Sequence, residues 1–207
     1  MGVEARQYVP RYLIGLTAMT IAAYFMYTSW SQAFAIFFGS SFLFLICVTD
    51  TFYTKIPNLA NLVLMLASIA FHCHSAGLSG FLFSLEGLLL GLALLIVPYL
   101  LGGMGAGDVK ALAALGALLG PGQIFQVFLY ASVVGGILAL LHYALAFKAF
   151  NLGEKCSVFG TALKAFLYSK DPRCLRPPVA TGEQIRFPYA AAIAFGFFVH
   201  IGWGGFT

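Results

Sequence analysis

Seven acidic residues occur in the chain, and three of them, Asp50, Glu86 and Asp108, fall in or beside apolar runs. An ionisable side chain in such a place costs several kcal/mol and is a candidate for chemistry. Asp50 closes the run Leu45-Ile46-Cys47-Val48-Thr49-Asp50, and Asp108 follows Gly102-Gly103-Met104-Gly105-Ala106-Gly107. If both runs end at one membrane boundary, the two carboxyls lie at one depth and can meet. Two carboxyls that meet cannot both ionise cheaply, so they share a proton. The ionised member can then take a proton from water while the protonated member polarises a carbonyl. Such a pair titrates as a unit, so neither acid is assigned a fixed role. Simpler readings exist beside this one. Asp108 precedes a helix and could cap it, and Asp50 could be an ordinary charge at a membrane edge. Gly103, Gly105 and Gly107 would let an extended chain lie close to the backbone before Asp108, or could form a plain flexible loop.

The remaining polar residues invite structural roles. Glu86 is expected as a hydrogen-bonded acid between helices, away from the level of Asp50 and Asp108. His72 and His74 are two apart and do not share a helix face, which speaks against a metal site. His142 and His200 are expected in packing or interfacial roles. Cys47, Cys73, Cys156 and Cys174 form no C-x-x-C pair, so no zinc or disulfide framework is expected, and no cofactor. Cys47 and Cys73 are expected to be small buried apolar residues. Gly87/Gly91 and Gly116/Gly120 each form a small-x-x-x-small pattern suited to close helix packing. Lys110 could pair with Asp108 or with lipid phosphate, and Lys55 could do the same near Asp50.

These residues need elements to carry them. Of 207 residues, 61% are hydrophobic and 9% are charged, against roughly 25% charged in soluble domains. That excludes a soluble or disordered chain and predicts an all-α polytopic membrane bundle forming a single domain over 1–207. Seven spans are expected, near 12–26, 33–48, 59–74, 80–101, 109–119, 123–147 and 189–203. The fifth is short enough to be a half-span. The first is expected to be an uncleaved helix. Alternating these spans puts all eleven Lys and Arg on one side, which the positive-inside rule makes the cytoplasm. The N-terminus is then cytoplasmic, and no nucleic-acid partner is expected. The long basic connection 148–188 carries apolar residues at helical spacing (Val158, Phe159, Ala162, Leu163, Phe166, Leu167). It is either an interfacial amphipathic helix on anionic lipid or a solvated loop.

The segments Asp50-Thr51-Phe52-Tyr53-Thr54-Lys55-Ile56-Pro57-Asn58 and Gly103-Met104-Gly105-Ala106-Gly107-Asp108-Val109-Lys110 resemble the two signature segments of type IV prepilin peptidases. In that family an Asp leads through a basic loop to Ile-Pro-Asn, and Gly-x-Gly-Asp leads to Val-Lys. Phe187-Pro188-Tyr189-Ala190 is similar to the family's start of the last helix. Presenilin-like proteases share Gly-x-Gly-Asp, but this chain has Thr49-Asp50 and lacks their late Pro-Ala-Leu. The resemblance implies an aspartic endopeptidase of the cytoplasmic (inner) membrane that removes the short basic leader of prepilins or pseudopilins. It makes Asp50 and Asp108 the catalytic pair, with Gly103, Gly105, Gly107, Lys55, Ile56, Pro57, Asn58 and Lys110 as motif support. It also implies a six-helix core, here with an extra first helix whose role stays open. The cysteine pairs of the family's methyltransferase region are absent, as in its short stand-alone form. A second class of function is a small proton- or cation-coupled carrier using Asp50, Glu86 and Asp108. That reading would want acids near the midplane beside broken helices. A third is an assembly subunit that keeps the fold without activity.

Overall fold

The computed structural model describes residues 3–28, 34–101, 104–146 and 189–203. They form five helices: α1 (Val3–Thr28), α2 (Phe34–Tyr53), α3 (Asn58–Leu100), α4 (Ala106–Ala146) and α5 (Tyr189–Gly202). No strand occurs among the described residues. A chain this apolar must satisfy its own backbone groups, and helices do so within each segment. Phe34–Tyr53, Asn58–Leu100 and Ala106–Leu140 are long and apolar enough to cross a membrane, and Tyr189–Gly202 is a shorter apolar helix.

The helix count differs from the expected seven because two expected pairs run together. α3 has 43 residues, about 65 Å if straight, which is twice a bilayer core of about 30 Å. It is not straight. Gly77 sits at φ 60°, ψ −133°, outside the helical region. The His72 and Phe83 rings then lie 5.1 Å apart, whereas eleven residues of continuous helix would separate them by about 16 Å. The chain therefore turns back at Gly77.

α4 breaks in a similar way at Gly120 (φ 77°, ψ 174°), a conformation open essentially to glycine alone. Pro121 follows and has no N–H, so the carbonyl of Ala117 loses its helical donor. Ser84 Oγ on α3 donates to that carbonyl at 2.7 Å. His72 Nε2 donates to the next one, Leu118 O, at 3.0 Å. α3 thus repairs the break in α4 with two side chains, which gives His72 a structural role.

Small residues set how closely the helices approach. A methyl group at Gly87 would overlap the backbone oxygen of Gly116, and one at Gly116 would overlap that of Gly87. At Gly91 it would come within 2.6 Å of Leu112 O. α3 and α4 are therefore in backbone contact, as the glycine spacing predicts. α4 packs on α5, where Gly196 faces the backbone of Ala131. α1 packs mainly on α2. Leu43, Ile46, Leu112, Leu115, Leu118 and Phe197 are fully buried between these helices.

Two single-residue expectations are corrected. Glu86 is exposed on the outer face of α3, not held between helices. Its neighbours Ser84 and Gly87 take the face turned to α4, which leaves position 86 pointing away. Cys73 is exposed, while Cys47 is buried as expected. His200 is buried, in line with packing. The connection 148–188, with Cys156 and Cys174, lies outside the described residues, as does the side chain of His142.

Candidate active site

Asp50 lies in the last turn of α2, with its side chain 16% exposed. The helix runs on to Tyr53 and stops because Thr54 takes a positive φ of 57°. That conformation costs a non-glycine residue roughly 1–2 kcal/mol. Thr54 N–H still donates to Asp50 O at 3.0 Å, closing the final turn. Lys55, Ile56 and Pro57 then form an extended linker, and Asn58 begins α3.

The side chain beside Asp50 comes from α1. An Arg11 guanidinium nitrogen lies 3.9 Å from Asp50 Oδ1 and also donates to the main-chain oxygen of Asp50. Arg11 is 7% exposed, although it is a cation, and it lies more than two turns inside α1. In the sequence, Arg11 counts only toward membrane orientation. The available signal was an arginine at the edge of the first apolar stretch, with no acid in that stretch to pair with it. Asp50 is therefore approached from α1 as well as lying on α2.

Asp108 is inside the first turn of α4, not before the helix as expected. Its Oδ2 accepts the Gly105 N–H at 3.2 Å, and its own N–H donates to Gly105 O at 3.2 Å. This is the arrangement of an acid at the third helical position reaching back to the residue that opens the helix. The negative charge also sits at the positive end of the helix dipole. Asp108 remains half-exposed, and Gly105 is exposed beside it.

The two segments meet. A methyl group at Gly107 would lie 3.1 Å from Ile56 Cβ, so a larger residue at 107 would press on the linker. Lys110 Nζ donates to Asn58 Oδ1 at 3.0 Å. The stretch after Asp50 and the stretch around Asp108, 52 residues apart at the Lys110–Asn58 bond, are thus held together at one end of the bundle. Lys110 bonds Asn58. Lys55 is exposed and has no ion pair among the described residues. The cation beside Asp50 is therefore Arg11 and not Lys55. Gly103 lies outside the described residues. Among those residues no cluster of His, Cys, Asp or Glu could hold a metal ion.

Comparison with known families gives a match to the type IV leader peptidase family over residues 36–140. Comparisons with curated proteins and with solved structures give no match. The matched stretch takes in most of α2, all of α3 and most of α4, and with them both acids and the contacts that join their segments. Covering half of the chain, it establishes that this protein belongs to the type IV leader peptidase family.

Proposed function

We propose that the protein is an aspartic endopeptidase that cleaves the short basic leader from type IV prepilin-like or pseudopilin precursors, with Asp50 and Asp108 as the catalytic pair. Membership of a peptidase family supports hydrolysis. The single observation that carries the assignment of residues is the union of the two acid-bearing segments through Gly107–Ile56 and Lys110–Asn58. The ionised carboxylate of the pair takes a proton from a water, whose oxygen attacks the scissile carbonyl. The protonated carboxyl hydrogen-bonds that carbonyl, and a proton from the pair then passes to the leaving amine. Gly105 is exposed next to Asp108 and leaves room for an extended leader.

In this reading the chain crosses the cytoplasmic membrane seven times. The bends at Gly77 and Gly120 are the outer turns, and both acids sit at the cytoplasmic boundary. The basic connection 148–188 lies on anionic lipid of the same side. A carrier would need Glu86 with the other acids, and its outward exposure on α3 does not favour that.

Coexpression with a prepilin tests the function. Wild-type protein should shorten the precursor by its leader, and Asp50→Asn or Asp108→Asn should leave it full length. Cleavage by either single variant at near the wild-type rate would reject the assignment.

A further inference from the structure

We propose that Arg11 is a positioning residue for the peptidase reaction: it reaches from α1 to fix the carboxylate of Asp50 and to offset its charge. The inference rests on the reading of Asp50 as catalytic. Arg11 and α1 lie outside the stretch 36–140 that the family shares, so the family match assigns them no role. Three observations point the same way. One Arg11 guanidinium nitrogen donates to the main-chain oxygen of Asp50 and lies 3.9 Å from its carboxylate, an ion pair beyond hydrogen-bond reach. The pair is largely buried, at 9% and 16% side-chain exposure, where a charge without a partner is strongly disfavoured. The approach of α1 is built for it. A methyl group at Gly15, one turn on from Arg11, would overlap Thr51 Oγ1, and Thr51 is buried next to Asp50.

Arginine also suits the end of α2. The last carbonyls of a helix carry partial negative charge, and a cation is favourable there. A planar guanidinium can serve a carbonyl and a carboxylate together, which an ammonium does less well. The extra first helix thereby gains a role, as the source of a cation for the dyad.

The test uses the full-length protein in proteoliposomes with a prepilin substrate. Arg11→Met should lower kcat about tenfold to a hundredfold, as expected for a misplaced catalytic group, with KM within about twofold. Arg11→Lys should recover much of that loss. Gly15→Leu, which wedges α1 from Thr51, should lower kcat similarly, and adding Arg11→Met to it should cost little more because both break one contact. A wild-type kcat in Arg11→Met, a Lys variant no better than Met, or additive losses would each overturn the proposal. A thermal-stability cycle of Arg11→Met with Asp50→Asn reads the contact without activity. Coupling between the two sites supports the contact even if no prepilin is cleaved, in which case only the peptidase reading falls. Independent effects overturn the contact itself.

Discussion

At Asp50 and Asp108 the structure supplies two different settings for one chemical group. Asp50 is largely buried against a cation at the end of a helix, and Asp108 is half-exposed at the start of one. A water between such acids would meet one carboxylate held by a guanidinium and one held by a backbone N–H. Each Asp→Asn change should cut leader cleavage by about 10²–10⁴-fold, the usual contribution of a positioned acid or base. Membrane insertion should be unchanged, and a gel-shift time course on membranes checks both. Glu86→Gln should leave the rate within about twofold, because a surface substitution away from a site moves little. The same time course decides this, and total loss with normal folding would bring Glu86 into the site. The two acids stand out in the sequence because each bounds an apolar run. Arg11 was not, because its partner is 39 residues away and no local pattern couples residues on separate helices. The outward turn of Glu86 was equally hidden, since hydropathy gives depth along a span and not the face.

Among the elements, glycine positions separate into those that need the missing side chain and those that do not. Gly116 touches backbone across the α3–α4 seam, and Gly120 combines a positive φ with contact on the Phe83 ring. Gly122 has open space around it. Gly116→Ala and Gly120→Ala should each destabilise the protein by about 1–3 kcal/mol, from overpacking and backbone strain respectively. Gly122→Ala should be near neutral. Thermal unfolding in detergent ranks the three. Ser84→Ala should also cost about 1–3 kcal/mol, because it leaves the buried Ala117 carbonyl without a donor. The small-x-x-x-small spacing marked Gly87, Gly91, Gly116 and Gly120 for close packing beforehand, without saying which helices would meet. The joining of expected spans into α3 and α4 was not, because hydropathy marks a turn as a dip in polarity and cannot tell a linker from a one-residue bend. Gly77 and Gly120 fall in the gaps between expected spans, after 59–74 and after 109–119.

Across the whole molecule, the thiols report orientation. Cys73 is exposed a few residues before the Gly77 bend, and Cys47 is buried in α2. If the bends face outward, an impermeant thiol reagent should label Cys73 in intact cells. Cys47 should stay unlabelled, and Cys156 and Cys174 should react only after the membrane is opened. Labelling of Cys156 or Cys174 from outside would reverse the orientation. The all-helical class was legible from composition alone, since 61% hydrophobic residues leave no wettable surface. The pairing of α1 with α2 and of α4 with α3 and α5 was not, because every helix here is apolar on most faces and no stripe selects a neighbour.

The Arg11–Asp50 contact joins two residues that both leave the ribosome early. Both residues are translated before Asp108 and α5, so a nascent hairpin of α1 and α2 would already place the cation beside the carboxylate. An acid entering a bilayer alone carries a penalty of several kcal/mol. A hairpin of α1 and α2 that formed this contact would lower that penalty. Translation intermediates stalled soon after α3 begins should therefore insert α2 efficiently with Arg11 and less so with Arg11→Met, as scored by alkaline extraction. The first helix would then act as an escort during biogenesis, protecting a reactive group until the rest of the enzyme exists to use it.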